Sequence, residues 1–329
     1  MQEKGMAEAE RIGVIGAGAF GTALAIAQAT AGRAVTLWAR NPDQAAEMDR
    51  LRENRARLPG VPLPDALRVT SDFDEAAAAP VLLLALPTQT LRQVLGAHAA
   101  ALSGRMLVAC SKGVELGTGL LPAQIMAEMV PDARTAVLTG PSFAIDIAQG
   151  KPTALTLATT APTAQALQNS LSTRNLRLYL SDDPLGAQLG GALKNVVAIA
   201  AGITMGAGLG ESARAALMTR GFAEIARFAE SRKAQAATLW GLSGFGDLVL
   251  TCTSEKSRNF RHGLAVGAGQ APDTSQTVEG VMTAHAMAAG ADQDALPVTC
   301  MVSALLNGQV ALPDAIDLLL TRPLKRETD

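Results

Sequence analysis

RIGVIGAGAFGTALAIA, residues 11–27, is the stretch that decides the fold of this chain. Arg11 to Ile15 reads as a short buried strand, and Thr22 to Ala27 as a helical run. Between them lies a GxGxxG turn whose glycines have separate tasks. Gly16 permits a tight turn, Gly18 lets the backbone approach a pyrophosphate, and Gly21 allows close contact between helix and strand. Ala19 and Phe20 complete the turn, and the helix after it has first N–H groups without an intrahelical partner, which it presents to the phosphates. A bare glycine turn carries little weight. Here it follows a strand, opens a helix and is followed by a second strand, Ala34 to Trp38, which together describe a dinucleotide site.

Outward from that unit the pattern repeats. A helix over about 42–53 and a Pro-rich loop from Leu58 to Pro64 lead to Val81–Leu86, a continuous apolar run ended by Pro87. Met106–Cys110 and Ala136–Thr139 are further strands, and Thr153–Ala158 and Leu176–Leu180 two more. Strands alternating with helices predict an α/β fold, a doubly wound parallel sheet of Rossmann type, with ligands beyond the carboxyl ends of its strands. Lys112, Gly140 and Ser142 all fall at such ends. Taken singly, Lys112 reads as a loop charge and Pro141-Ser142 as a helix start; their shared placement favours function.

From Asp183 the pattern turns helical, which puts a domain boundary near 183–190: a leader over 1–10, a dinucleotide-binding domain over 11–185 and a helical domain over 186–329. The helical part opens on GGALKNVVAIAAG, residues 190–202, where Lys194 is the only cation. Steps of three, four and seven from it reach Ala187, Gly190, Gly191, Ala198 and Ala201, a stripe that allows close approach to the backbone. A lone amine there suits proton transfer or anion contact; the plainer reading is a lysine snorkelling to solvent. Further on, Asp247 follows the glycine-rich turn 241–246, and Ser257-Arg258-Asn259 precedes a helix-like segment as a phosphate site or a solvated cap. Val278-Glu279-Gly280 reads first as another helix start. Leu248 to Thr253, with its β-branched residues, reads as a strand.

The totals exclude several classes. A net charge of -2 and a pI near 6.0 offer no field for nucleic acid or an anionic membrane. The polar first residues contain no signal-like apolar core, and no apolar run reads as a membrane span. Cys110, Cys252 and Cys300 lie far apart without metal spacing, which fits a reducing, cytoplasmic setting, and the three histidines form no zinc pattern. At the end of the second strand, where NAD-specific sites carry an acid, stands Arg40. It would pair with a 2′-phosphate and favours NADPH, with NADH the alternative; stacking on the adenine or facing solvent are its other readings.

The motifs GAGAFGTALA, SKGVE, TGPSFA, LGGALKNVVAIAAG, GFGDLVLTCTS and SRN, in this order over about Arg11 to Gly308, resemble those of bacterial NAD(P)-dependent glycerol-3-phosphate dehydrogenases. That resemblance implies reduction of dihydroxyacetone phosphate to sn-glycerol 3-phosphate for phospholipid synthesis. It implies that Lys194 is the proton acceptor in the oxidative direction. Substrate contacts would fall on Lys112, Gly140, Ser142, Lys194, Asp247, Ser257, Arg258 and Asn259. Cofactor contacts would fall on Phe20, Arg40, Lys112, Ala144, Arg258, Val278 and Glu279. It also implies that Leu248 to Thr253 belongs to a helical domain. Many relatives carry an aromatic where this chain has Arg57. A mechanism follows in which Lys194 exchanges the proton, its pKa lowered by Lys112 and raised by Asp247, while Arg258 and Asn259 hold the substrate phosphate. A two-domain reductase of β-hydroxy or keto acids and a non-catalytic NADP(H) sensor are the competing readings, and the apolar helical half suggests a homodimer.

Overall fold

The computed structural model describes residues 11–273, 277–290 and 295–320; the leader 1–10 and the charged tail 321–329 lie outside them. The first half contains β1 (Arg11–Ile15), α1 (Ala19–Thr30), β2 (Ala34–Trp38), α2 (Pro42–Leu51), β3 (Leu67–Thr70), α3 (Phe73–Ala77), β4 (Val81–Leu84) and α4 (Thr88–Leu102). It continues with β5 (Met106–Ala109), α5 (Pro122–Met129), β6 (Arg134–Thr139), α6 (Ala144–Ala148), β7 (Thr153–Ala158), α7 (Ala164–Leu171) and β8 (Leu176–Ser181). The strands form one sheet in the order β3-β2-β1-β4-β5-β6-β7-β8.

Successive side chains of a strand point to opposite faces, and both faces here are covered by helices. Val14, Leu83 and Val108 therefore enter one core layer, while Ile15, Leu82, Leu84 and Leu107 enter the other. The apolar runs have no polar face because neither face meets water.

Two sequence expectations about the sheet half are corrected, and one strand was missed. The sheet is not wholly parallel: β7 pairs antiparallel with β6, and β8 runs parallel to β7. The five-residue α6 is too short to carry the chain across a sheet face and back, so β7 returns beside β6 in the opposite sense. The helix expected at Pro141 begins at Ala144 instead, with Phe143 as its cap. Edge strand β3 was not anticipated, because only four residues pair and Arg68 faces outward between Leu67 and Val69.

The second half is helical and built around α8 (Pro184–Gly206), which is buried at every residue from Gly186 to Thr204. By length and composition α8 could cross a membrane, yet 89% of its apolar window is buried inside the protein, as expected of a core helix. Around it lie α9 (Gly210–Ser231), α10 (Ala236–Trp240), a π-turn (Leu242–Gly246), α11 (Asp247–Cys252), α12 (Arg258–Gly267), α13 (Glu279–Gly290), α14 (Pro297–Leu306) and α15 (Leu312–Leu320). The segment from Leu248 is thus helix, as the resemblance implies, and not the strand its β-branched residues suggest; packing against α8 overrides a local preference worth about 1 kcal/mol at most.

Glycines set how closely α8 and α12 cross. A Cβ on Gly202 would strike the carbonyl of Phe260, and one on Gly206 that of Leu264. Reciprocally, a Cβ on Gly263 would strike the Ile199 carbonyl, and one on Gly267 that of Ile203. The two backbones touch directly, and this fixes the start of α12, with Arg258 and Asn259, relative to Lys194.

Candidate active site

The dinucleotide turn has the geometry its glycines predict. Gly16 has φ +115°, a value L side chains rarely adopt, and a Cβ there would lie 2.6 Å from the Ala85 carbonyl oxygen. A Cβ on Gly21 would strike the Gly16 carbonyl, whereas one on Gly18 would meet nothing within 4 Å. Gly18 thus faces open space at the head of α1. That helix has no side-chain cap and no acid in its first turn, so the N–H groups at Ala19 and Phe20 remain for an anion. An open cradle over uncapped donors fits a dinucleotide pyrophosphate.

Lys194 does not snorkel: it is 6% exposed, at the centre of α8. Its Nζ donates to Asp247 Oδ1 at 3.0 Å and to Thr251 Oγ1 at 2.6 Å. The other carboxylate oxygen, Oδ2, accepts from Lys112 Nζ at 2.7 Å, and that amine also donates to the Gly140 carbonyl at 2.9 Å. One buried carboxylate therefore bridges two amines, one from each half of the chain. Sequence left open whether Asp247 or its opponents govern the amine. Burial has the largest effect and pushes Lys194 down to about 8; Asp247 pulls upward, and Lys112 adds to the fall.

The small-residue stripe is filled by the protein itself. Gly190 lies against the π-turn, where a Cβ would come within 3.0 Å of Gly244 Cα, and Gly191 lies against Thr139, whose Oγ1 would be 2.8 Å away. These contacts bring the Asp247 turn and the end of β6 up to the lysine. The Gly140 backbone, at φ +141°, aims its carbonyl at Lys112. Ser142 Oγ is 3.5 Å from the same carbonyl.

A chain of amides joins the halves. Asn195 Nδ2 donates to the Lys112 carbonyl at 3.3 Å, and Asn259 Nδ2 donates to Asn195 Oδ1 at 2.9 Å. Asn259 Oδ1 in turn accepts from the Gly280 N–H at 3.0 Å. Asn259 keeps one amide hydrogen for a ligand. Ser257 caps α12, its side chain accepting from the Phe260 N–H at 3.2 Å, so the capping reading holds for this serine. Arg258, at the first turn of α12, makes no hydrogen bond or ion pair among the described residues. Its guanidinium is lowered chiefly by burial, with Glu279 opposing and Arg261 and Arg57 adding to the fall.

Glu279 opens α13 and reaches across to the first half, where its Oε1 accepts from the Thr88 N–H at 3.3 Å. Its Oε2 is buried with no hydrogen-bond partner among the described residues, and burial raises its carboxyl. Val278 packs on the helical core, and Ala144 with Phe20 on a core layer of the sheet. Arg40 is exposed at the end of β2 and makes no hydrogen bond or ion pair among the described residues. The structure thus gathers Lys112, Gly140, Lys194 and Asp247 directly, links Asn259 to them through Asn195, and leaves Arg40 apart on the β2 side.

Sequence reading missed Thr251, Asn195 and Thr88. Thr251 stands four residues after Asp247, on the same helix face, and its spacing becomes visible only once the segment is read as helix. Asn195 stands beside Lys194 with no spacing that marks it in sequence. Thr88 shows no local signal, because its partner lies 191 positions away.

An open glycine cradle at the carboxyl end of β1, together with a buried amine held at about 8 by its surroundings, defines a two-domain nicotinamide-dependent oxidoreductase. Residues 11–165 match the model of the NAD-dependent glycerol-3-phosphate dehydrogenase N-terminus, and residues 183–317 that of its C-terminus. The chain belongs to the NAD-dependent glycerol-3-phosphate dehydrogenase family. A glycerol-3-phosphate dehydrogenase (NAD(P)+) of Ruegeria sp. is 58% identical over 319 residues, 96% of this chain and 99% of that protein. One from Cereibacter sphaeroides is 56% identical over 321 residues, 96% and 100% of the two chains. Among solved structures, the glycerol-3-phosphate dehydrogenase of Coxiella burnetii superposes with a TM-score of 0.90 at 34% identity, covering 95% of this chain and 99% of its own.

Proposed function

We propose that Lys194 is the proton donor with which this chain reduces dihydroxyacetone phosphate to sn-glycerol 3-phosphate, and the acceptor in the reverse direction. The enzyme is an oxidoreductase of the CH–OH/nicotinamide class, as the names of its relatives state of those proteins. One observation carries the residue assignment: a buried amine, held at about 8, shares one carboxylate with Lys112, which comes from the other half of the chain.

A bound nicotinamide supplies the hydride. Gly16, Gly18 and Gly21 shape its cradle, with the N–H groups at Ala19 and Phe20 on its pyrophosphate. Lys194 gives its proton to the oxygen on which negative charge develops. A pKa near 8 leaves roughly ten protonated amines for each neutral one at pH 7 and keeps the proton easy to release. Lys112 supplies a second positive charge beside the same oxygen, and Asp247 holds both amines in place. Thr251 fixes the rotamer of Lys194. Arg258 and the free hydrogen of Asn259 hold the substrate phosphate, and Ser142, Ser257 and the Gly140 backbone line its seat. Glu279, Val278 and Ala144 close the cofactor side.

Several finer readings have their own support. NADPH is the preferred cofactor, supported by Arg40, exposed and without a partner among the described residues where NAD-specific sites carry an acid. The chain divides at 185/186 into a dinucleotide-binding domain and a substrate domain. A homodimer is supported by exposed apolar surface on the helical half, where Trp240 is 65% exposed and Phe245 41%. Cysteines far apart in sequence and without metal spacing support a cytoplasmic setting, and the product suits phospholipid synthesis.

The test is direct. Purified protein mixed with NADPH and dihydroxyacetone phosphate consumes reduced nicotinamide, and Lys194→Ala abolishes turnover while cofactor binding survives. Turnover retained in that variant overturns the assignment. Equal turnover with keto acids lacking a phosphate favours the hydroxy-acid reading instead.

A further inference from the structure

The stretch that carries Lys112 is neither helix nor strand: residues 110–121 run irregularly from β5 to α5. A cation on such a stretch keeps its place only if the backbone beneath it is tied down. At the lysine itself the tie is loose. Asn195 Nδ2 reaches the Lys112 carbonyl at 3.3 Å, and the next residue, Gly113, is buried but has no side chain to stiffen the chain.

The firmer grip lies beyond Gly113 and comes from the first turn of α4. Gln89 Nε2 donates to the Val114 carbonyl at 2.8 Å, and Gln89 Oε1 accepts from the Leu116 N–H at 3.0 Å. One side-chain amide is thus paired in both directions with the main chain, as a neighbouring strand would be. Arg92, three residues on and on the same face of α4, holds the residue between, donating to Glu115 Oε1 from Nε and to Oε2 from Nη2, each at 2.9 Å. Thr118 Oγ1 donates to the same carboxylate. Arg92 therefore neutralises a buried acid of the loop, whereas Gln89 holds its backbone. The Val114 side chain, 1% exposed, enters the core of the helical half, so the clamp also seats the loop against α8.

We propose that Gln89 is a positioning residue for the reaction, its amide clamping residues 114–116 so that Lys112 stays on Asp247. The inference rests on the roles proposed above for Lys194 and Lys112. Lys112 Nζ reaches Asp247 Oδ2 at 2.7 Å and the Gly140 carbonyl at 2.9 Å, and a loop free to pivot at Gly113 withdraws it from both. Two effects then act on Lys194 in one sense. Repulsion by Lys112 lessens, and Asp247 is left to Lys194 alone, so the proton is held more tightly. Loss of the Asp247 charge has the opposite sign.

Gln89→Met keeps the length and bulk of the side chain but neither bond, and Gln89→Ala removes the bulk as well. The assay is the pH profile of kcat in both directions for the two variants and the unaltered protein, at saturating substrate and cofactor, with melting temperatures recorded alongside. In both variants the plateau kcat for reduction falls about tenfold, and the midpoint moves toward alkali by about half a unit. A lowered melting temperature with the midpoint still near 8 makes Gln89 a structural residue only and overturns the proposal. Native behaviour in Gln89→Met overturns it too, because bulk and not bonding is then what the site requires. If Gln89→Ala does not fold, Gln89→Met decides the matter by the same comparison. Where the unaltered protein itself shows no midpoint near 8, the reading of Lys194 fails and the role of Gln89 falls with it; a midpoint near 8 shared by both variants removes Gln89 alone.

Discussion

Asp247→Asn isolates what the shared carboxylate does. In the native protein Asp247 Oδ1 lies 3.0 Å from Lys194 Nζ and its other oxygen 2.7 Å from Lys112 Nζ. The asparagine keeps the shape and one acceptor but removes the charge that pulls the lysine upward. Coulomb's law with an effective dielectric of about 20 gives roughly 5 kcal/mol for unit charges this close. That is an upper bound, because the amide dipole and relaxation replace part of the attraction. A net loss of about 1.5–3 kcal/mol is realistic, which moves the amine about one to two pH units toward acid. Reduction needs the protonated amine, so in the native enzyme its rate is full at low pH and falls as pH rises through about 8. Oxidation needs the neutral amine and rises through the same midpoint. The assay is the pH profile of kcat in both directions at saturating cofactor and substrate. In Asp247→Asn both midpoints move to acid, and reduction at pH 7.5 suffers more than oxidation. A midpoint that stays near 8, or moves to alkali, refutes the view that this carboxylate sets the proton affinity of Lys194.

Arg258→Ala removes a charged hydrogen-bonding group worth about 1.5–3 kcal/mol and lowers kcat/KM for dihydroxyacetone phosphate about 10–150-fold, measured by steady-state kinetics. An unchanged value separates Arg258 from the substrate phosphate. Arg40→Asp turns the kcat/KM preference from NADPH toward NADH, because a carboxylate repels the 2′-phosphate; a constant ratio places Arg40 away from that group. Gly202→Ala drives a methyl into the Phe260 carbonyl and to 2.8 Å from the Leu264 nitrogen. It costs about 1–3 kcal/mol in urea unfolding and raises KM for the phosphorylated substrate, since α12 carries Arg258 and Asn259. A neutral Gly202→Ala means that the crossing of α8 and α12 tolerates more separation than its contacts imply.

Much of the fold was legible in sequence because local pattern and long-range packing agree there. Arg11–Ile15, Ala34–Trp38 and Thr153–Ala158 end where their apolar runs end. Strands buried on two faces announce themselves without alternation, and the turn at Gly16 can be made only by residues with its freedom. What escaped depended on partners distant in sequence. The reversal at β7 follows from the shortness of α6, which a helical pattern alone does not measure. Thr251 was hidden by a segment whose β-branched residues suggest a strand until α8 packs on it. The site lysine could be found from its apolar helix, but its proton affinity could not: burial competes with Asp247 and Lys112, and their balance depends on distances of a few ångströms. Glu279 looked like an ordinary helix start, and its reach to Thr88 exists only in the assembled molecule.

The four glycines between α8 and α12 bear on how the enzyme gauges its substrate. Carbonyl atoms of one helix rest where side chains of the other would stand, so neither can slide along its partner without collision. The span from the amine at 194 to the guanidinium at 258 is therefore a ruler cut into a single half of the molecule. On the roles proposed for Lys194 and Arg258, a three-carbon phosphate spans that ruler while Lys112, Gly140 and Ser142 reach it from the other half.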